Sequence, residues 1–292
     1  MKASDVAIAA AVIVIWGVNF WFMKIALADI QPMLLGALRF VFLLLPALFV
    51  LPRPNVAWWW LILYGLSISF GQFGLMFMAL WQGMPTGLAA LLHQGQVFFS
   101  VILAMICLRE PVQRQHFIAM LIAMLGLLFI GVGQYHGVMP LLGLWLVLAS
   151  ALMWACGNMV VKKIGKVNPL SLVVWGNVVT LPAFALTAWW QYGTAGVAEQ
   201  IAAMRWQTWA AVLYLAYVAG LLGYAGWGVL LSRYPAGKMT PLALLVPVIA
   251  LLVAYFGLNE PLNAWHWAGV WTVMAALVLH VFGARLLRTK NR

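Results

Sequence analysis

Charge is scarce in this chain, and acidic charge is the scarcest. Charged residues make up 7% of the sequence and hydrophobic residues 66%, with only five acids in total. This balance is far from that of soluble globular proteins and excludes an ordinary water-soluble domain. The five acids and five histidines are also scattered. They predict no convergent acid, base or metal constellation of the kind that an integral membrane enzyme needs.

Cysteine and nucleotide motifs are equally sparse. The two cysteines, Cys107 and Cys156, fall in apolar runs, so they predict neither a disulfide framework nor a metal site. No GxxxxGK[ST] motif occurs, which argues against ATP hydrolysis by the chain itself, and no cofactor is predicted. The first apolar run has no small-residue cleavage site and is interpreted as a membrane span, not as a signal peptide.

Long hydrophobic runs are what the chain has instead. A membrane-spanning helix needs roughly 20 mostly apolar residues. This predicts an all-α integral membrane protein of ten transmembrane helices. Pro182 predicts a kink in helix 7, and the longest link is expected from Gln191 to Gln207. The runs, numbered as helices 1 to 10, cover 6–28, 32–51, 57–81, 86–108, 115–133, 140–161, 169–190, 207–231, 238–257 and 264–287.

The formal net charge of +11 follows from the placement of lysine and arginine. If the N-terminus is cytoplasmic and ten helices alternate, thirteen basic residues face inward, while only Lys24 and Arg205 lie at the outer side. This bias predicts a multi-pass protein of the bacterial inner membrane with both termini in the cytoplasm. The partner of the basic residues is then the lipid bilayer, and no nucleic-acid partner is predicted.

An internal repeat organises the sequence. Twenty-five residues separate Pro85 from Glu110, and the same number separates Pro235 from Glu260. Tyr64 and Tyr214 match at the same offset of 150. Such self-similarity predicts two copies of one unit. We assign the first repeat to residues 1–137 and the second to residues 138–292, together forming one membrane domain.

The two repeats are predicted to be inverted. Each contributes five helices, an odd number, so the second enters the membrane from the opposite side. Inverted repeats are a recurrent architecture of secondary transporters, with the substrate site near the midplane. We therefore expect a 5+5 inverted-topology transporter of a small-molecule substrate, acting as a monomer or weak homo-oligomer.

Polar side chains inside the apolar runs are the candidate lining of a pathway. His93, Gln96 and Ser100 lie on one face of helix 4, which suits a wet cavity or a hydrogen-bonded seam between helices. A buried amide such as Asn19 either lines the pathway or bonds a neighbouring helix. Tyr224 lies on a pathway or on an aromatic packing face. The predicted cavity residues are Asn19, Gln72, His93, Gln94, Gln96, Asn158, Tyr224 and Trp227.

Charged residues near helix ends are predicted to be structural or gating elements. Arg39 in helix 2 holds a substrate carboxylate or, as we favour, pairs with Asp29 or with helix-end carbonyls. Glu110 and Glu260 each precede a proline near a helix start, so both are interpreted first as caps of that helix and second as gate elements. Lys24 is expected to snorkel to the outer interface.

Several short segments carry a resemblance to a known family. With ten helices and two inverted halves, the whole chain resembles the EamA family of the drug/metabolite transporter superfamily, and within it the exporters of cysteine and O-acetylserine. The resemblance implies inner-membrane export through a central cavity lined mainly by helices 1, 3, 4, 6, 8 and 9. The segments are 16–20, 38–40, 64–70, 83–89, 94–96, 150–158, 221–224 and 241–247.

The expected function is alternating-access export of small zwitterionic amino-acid metabolites. No acid lies inside a predicted span, so coupling through an intramembrane carboxylate is not expected, and His93 is the one deep candidate for proton coupling. A rival is export of aromatic amino acids or drug-like cations, for which the 17 tryptophans would supply stacking. Most of them cluster at helix ends, where an interfacial belt explains them. An enzyme, scaffold or channel is the alternative of another class.

Overall fold

The chain folds into ten helical segments in a computed structural model that describes residues 2–109, 114–134, 140–165, 167–234, 245–260 and 262–288. Within those residues the structure contains no strand. The segments are α1 (Ala3–Ala26), α2 (Pro32–Val50), α3 (Trp58–Trp81), α4 (Thr86–His93 and Gln96–Leu108), α5 (Arg114–Gln134), α6 (Leu141–Ile164), α7 (Pro169–Ala203), α8 (Trp206–Leu213, Tyr214–Leu222 and Gly223–Arg233), α9 (Val246–Leu258) and α10 (Ala264–Arg288).

Seven of the segments are long and apolar enough to cross a bilayer. These are α1, α2, α3, α4, α6, α7 and α8, with mean hydropathies from 1.5 to 2.4. Shorter apolar stretches lie in α5, at Phe117–Gly126, and in α9, at Val246–Leu258. The chain is therefore an all-helical, multi-pass membrane protein. The predicted start of helix 9 at residue 238 lies outside the described residues.

Helix α7 differs from its prediction. The segment expected to be a loop from Gln191 onward is helical as far as Ala203. The backbone leaves helical geometry at Gly193, with φ of 67°, and Pro182 lies within the helix. A positive φ is accessible to glycine because it has no Cβ. The sequence prediction failed because the residues after Gly193 are mixed in polarity and do not extend the apolar run.

Unusual backbone geometry recurs at positions about 150 residues apart in the chain. A π-helical stretch interrupts α3 at Gly65–Gly71, and another interrupts α8 at Tyr214–Leu222. Arg109, which follows α4, and Asn259, which follows α9, both adopt left-handed conformations, with φ of 54° and 51°. Stretches of π-helix are frequent at functional sites, and left-handed conformations are uncommon outside glycine.

The helices pack as a bundle in which residues distant in sequence meet. Helix α1 contacts α8 and α9, while α6 contacts α3 and α4. Helices α2 and α7 lie side by side, as do α5 and α10. The rings of Phe40 in α2 and Phe184 in α7 stack with centroids 5.6 Å apart. Gly36 allows this approach, because a Cβ there would lie 2.3 Å from the Phe184 ring.

Candidate functional site

The first group of predicted residues meets between α4 and α6. Asn158 of α6 donates from Nδ2 to Gln96 Oε1 at 3.2 Å and to Ser100 Oγ at 3.3 Å. All three side chains are half-buried. We call Gln96, Ser100 and Asn158 the amide cluster. It presents neutral donors and acceptors between two membrane helices, so it can hydrogen-bond a polar solute.

His93 lies one turn from the amide cluster and has different partners. Ser150 Oγ donates to the backbone carbonyl of Gln72 at 2.7 Å and lies 3.2 Å from His93 Nε2. Because a serine hydroxyl has only one proton, His93 must donate from Nε2 to Ser150 Oγ. The imidazole also lies 4.9 Å from the Trp154 ring. His93, Ser150 and Gln72 thus form a buried seam that joins α4, α6 and α3.

Gln94 stands at a break in α4. It occupies a short turn between Thr86–His93 and Gln96–Leu108, and its side chain is half-buried. The break allows the predicted polar residues of α4 to diverge: His93 meets α3 and α6 through Ser150, while Gln96 meets Asn158.

Aromatic residues form a second group between α1 and α8. The Trp16 ring lies 5.4 Å from Tyr224 and 5.5 Å from Trp227, measured between centroids. Trp16 Nε1 donates to the carbonyl of Ala219, in the π-helical stretch of α8. We call Trp16, Tyr224 and Trp227 the aromatic cluster. Tyr224 and Trp227 were predicted to line the site.

Two side chains were missed as site residues by the sequence analysis. Trp16 stands beside Asn19 in a recognised motif, but tryptophan near a helix middle is indistinguishable from a packing residue. Ser150 is fully buried in α6. A lone serine in an apolar helix carries no signal beyond small size, so the available clue was its spacing of eight residues from Asn158.

Asn19 lies in α1 with its amide incompletely bonded. The side chain is buried, and Nδ2 has a weak contact with Met23 Sδ at 4.0 Å. Oδ1 has no hydrogen-bond partner among the described residues. Trp16 and Asn19 are three residues apart, so both project from the same side of α1.

Arg39 is the one charged residue of α2, and it is buried. Its side chain is only 2% exposed, and neither Nε nor Nη1 has a hydrogen-bond partner within the described part of the chain. The guanidinium stacks on the Phe73 ring, 3.8 Å from its centroid. The expected pairing with Asp29 is wrong, because Asp29 binds Arg205 at 2.6 Å and also accepts a hydrogen bond from Thr208.

Glu260 joins three helices at one end of the bundle. Its carboxylate accepts hydrogen bonds from the Thr86 backbone at 2.9 Å, from Thr86 Oγ1 at 3.0 Å and from the Gly87 backbone at 3.3 Å. Lys24 of α1 also binds it at 3.0 Å. Glu260 therefore caps the start of α4 and not, as its position before Pro261 suggested, the start of α10.

The neighbours of Glu260 correct two further details. Asn263 Oδ1 accepts a hydrogen bond from the His266 backbone at 3.0 Å, which supplies the cap of α10. Lys24 is paired with Glu260, whereas a simple snorkelling side chain was expected. Glu110, the equivalent of Glu260 in the first half, lies outside the described residues.

Comparison with known proteins gives the same fold and a family. The sequence profile of the EamA-like transporter family matches residues 4–132 and again residues 141–282. A solved crystal structure, 17% identical, superposes with a TM-score of 0.68 and covers 98% of this chain and 99% of that one. At that identity the likeness concerns the fold alone.

Two curated relatives are much more similar in sequence. A "Probable amino-acid metabolite efflux pump" of Salmonella typhimurium strain LT2 is 39% identical, over 99% of this chain and 98% of its own length. A protein of the same description from Escherichia coli strain K12 is 36% identical, over 98% of this chain and 97% of its own. The chain belongs to the EamA-like transporter family.

Proposed function

We propose that this chain exports small amino-acid metabolites, with the size and polarity of cysteine or O-acetylserine, across the bacterial inner membrane. The observation that carries the proposal is the amide cluster, in which Asn158 bonds Gln96 and Ser100 within a membrane bundle. The chain is also similar along nearly its full length to two proteins described as amino-acid metabolite efflux pumps. Binding sites of this kind are mainly apolar, with a few placed polar groups that orient the solute.

We assign the lining of the transport site to both clusters together with Asn19 and Gln94. The amide cluster supplies hydrogen bonds, and Asn19 Oδ1 supplies an acceptor that is free of partners in the described part of the chain. The aromatic cluster supplies an apolar wall. Gln72 and His93 border this lining through the seam at Ser150.

We further infer that transport proceeds by alternating access between two inverted halves, residues 1–137 and 138–292. The recurrence of helix contacts supports this: the α1–α9 and α1–α8 contacts correspond to the α6–α4 and α6–α3 contacts. The paired π-helical stretches and the paired left-handed residues support it too. Similar halves in opposite orientations can exchange conformations, which gives inward-open and outward-open states of nearly equal free energy.

We infer that Glu260 acts in the outer gate. With both termini in the cytoplasm, as the lysine and arginine distribution predicts, the ends of α1 and α9 and the start of α4 lie at the outer face. Glu260 holds these three ends together through Lys24, Thr86 and Gly87. Breaking these contacts would release the outer end of α4, so the carboxylate is placed to favour closure at that face.

A second candidate substrate class is aromatic amino acids or drug-like cations. The observation that favours it is the aromatic cluster, in which the rings of Tyr224 and Trp227 lie 5.4 and 5.5 Å from that of Trp16. Aromatic faces bind other rings by stacking and cations through their quadrupole. The amide cluster favours the smaller polar class instead, because its hydrogen-bonding groups would remain unsatisfied beside an apolar ring.

Uptake into inverted membrane vesicles tests the proposal. Vesicles that contain the protein are given labelled cysteine, O-acetylserine or tryptophan, with and without an imposed proton gradient, and protein-free vesicles serve as the control. Uptake of cysteine or O-acetylserine is expected. Uptake of tryptophan alone would support the second class, and uptake of none of the three would contradict both. Dependence on the gradient would implicate His93.

A further inference from the structure

Arg39 carries a positive charge that the described protein leaves uncompensated. The side chain lies in α2, and its guanidinium carbon is 5.6 Å from the Phe40 ring centroid and 3.8 Å from that of Phe73. It is 2% exposed, and two of its three nitrogens have no partner within the described residues. A buried charge is strongly unfavourable unless an opposite charge or hydrogen bonds compensate it.

The acids of the described residues are engaged elsewhere. Asp5 binds Arg233 and Tyr234, both at 2.6 Å, and Asp29 binds Arg205. Glu260 is held by Lys24, Thr86 and Gly87. Glu199 is exposed near the end of α7, and Glu110, the fifth acid, is not described. Each acid that the structure describes is therefore committed to another contact or is exposed.

The surroundings of Arg39 connect it to the proposed transport site. Helix α2 packs against α8, whose Tyr224 interacts electrostatically with the guanidinium and contacts Trp16 of α1 through its ring. Phe73 of α3 supports the guanidinium from one face. Arg39 thus lies on α2 against Phe73 of α3, and α2 also packs against the π-helical stretch of α8. Stacking on an aromatic face leaves the edge N–H groups of a guanidinium free to donate.

We propose that Arg39 is a binding subsite for the carboxylate of the transported metabolite. A guanidinium is the side chain best suited to a carboxylate, because its planar N–H groups match the two carboxylate oxygens and it stays charged when buried. The subsite assigns the substrate class as metabolites that carry a free carboxylate. This inference rests on the proposed export function and specifies its chemistry.

The first test uses the unmodified protein in inverted vesicles. Labelled O-acetylserine is competed with unlabelled serine and with serine amide, which has the same side chain and amine but no carboxylate. Serine is expected to inhibit at concentrations at least about tenfold lower than serine amide. Equal inhibition by the two would overturn the carboxylate subsite while leaving export intact. Absence of O-acetylserine uptake would instead be a failure of the proposed export of this metabolite.

The second test uses substitutions of Arg39. In Arg39→Gln, the preference for serine over serine amide is expected to fall to about one, with a rise of about tenfold or more in the apparent KM for O-acetylserine. Arg39→Lys keeps the positive charge but loses the paired N–H groups of the planar guanidinium. It is expected to retain part of the preference for serine over serine amide. Arg53→Gln is the matched control, because Arg53 also stacks on a ring, that of Trp58 at 4.3 Å, but is exposed.

A purely structural role for Arg39 predicts a different pattern. Arg39→Gln and Arg39→Lys would then reach the membrane in smaller amounts or melt at lower temperature. The inserted protein would still discriminate between serine and serine amide as well as the wild type does. Unchanged discrimination by inserted Arg39→Gln would overturn the proposal. If Arg39→Gln does not insert, the comparison of Arg39→Lys with wild type decides, since full discrimination by the lysine variant would contradict a guanidinium subsite.

Discussion

At the scale of single residues, one amide holds the amide cluster together. Asn158 Nδ2 reaches both Gln96 Oε1 and Ser100 Oγ. Its removal leaves two polar groups without their donor between α4 and α6, which is costly where water is scarce. If the cluster binds substrate, the same removal also weakens recognition directly.

Asn158→Ala is expected to lower export at least about tenfold while the protein still inserts and folds. Transport in inverted vesicles, normalised to the amount of inserted protein, measures the effect. Asn55→Ala is the control, because Asn55 is exposed in the link between α2 and α3. Normal transport by inserted Asn158→Ala would remove the amide cluster from the site.

Asp29 offers a residue-scale prediction with a pH signature. Its pKa is lowered from 3.8 to about 2, chiefly because the Arg205 side chain donates hydrogen bonds to the carboxylate. A carboxyl whose pKa is depressed by folding stabilises the folded state above its unfolded pKa, and that contribution is lost as the pH falls through its folded pKa. The contact should therefore act fully at neutral pH and fade between about pH 4 and pH 2.

Asp29→Asn is accordingly expected to destabilise the detergent-solubilised protein at about pH 7 by about 1–2 kcal/mol, a modest value because Arg205 is largely exposed. Thermal melts at about pH 7, 5 and 3 measure the difference from wild type. The difference in melting temperature between wild type and Asp29→Asn should be similar at about pH 7 and 5 and smaller at about pH 3. A difference that grows as the pH falls would contradict a stabilising contact of ionised Asp29.

Sequence reasoning located buried polar residues better than it located their partners. Asn19, Gln72 and His93 are buried within helices, as their place in apolar runs predicted. The pairing of Arg39 with Asp29 and the helix that Glu260 caps were predicted wrongly, because proximity in sequence was the available guide. Thr86 and Glu260 are 174 residues apart, and no local pattern encodes which ends of which helices meet.

At the scale of elements, Glu260 determines how α4 begins. The first N–H groups of a helix have no partner within it, and the positive end of the helix dipole favours an anion there. From the link after α9, Glu260 satisfies the N–H groups of Thr86 and Gly87, and it also binds Lys24. The start of α4 is thus fixed from the ends of α9 and α1, where we propose the outer gate.

Glu260→Gln is expected to loosen the outer end of α4, since an amide has one acceptor oxygen and no charge for Lys24. In a background without Cys107 and Cys156, a cysteine at position 19 should react with an impermeant maleimide from outside about tenfold faster in Glu260→Gln. Glu199→Gln, at an exposed acid of α7, serves as the control. Equal labelling rates in wild type and Glu260→Gln would show that Glu260 does not restrain the outer gate.

The hydrophobic runs predicted where the helices lie, but they did not predict breaks, kinks or π-helical stretches within them. The boundaries of α2, α3 and α6 lie close to the predicted runs because apolar length alone defines a span. The break in α4 at Gln94 and Gly95, the π-helical stretches and the kink at Gly193 are features of backbone geometry that lie inside apolar or helical runs. A one-dimensional pattern of apolar residues carries little of that information.

At the scale of the whole molecule, contacts at opposite ends of the bundle agree with helices that alternate in direction. The start of α1 meets the end of α8, where Asp5 binds Arg233. The link after α1 meets the start of α8, where Asp29 binds Arg205. Helices α1 and α8 therefore run in opposite directions, as the proposed inverted arrangement requires.

Counterflow with the purified protein in liposomes tests the central claim most directly. Liposomes preloaded with unlabelled O-acetylserine are diluted into a trace of labelled O-acetylserine. A carrier that alternates between two faces exchanges the inner molecule for the outer one, so we predict transient accumulation of label above its equilibrium level, absent from protein-free liposomes. Simple equilibration without overshoot would indicate a channel, and no entry of label at all would contradict export of this metabolite by the chain.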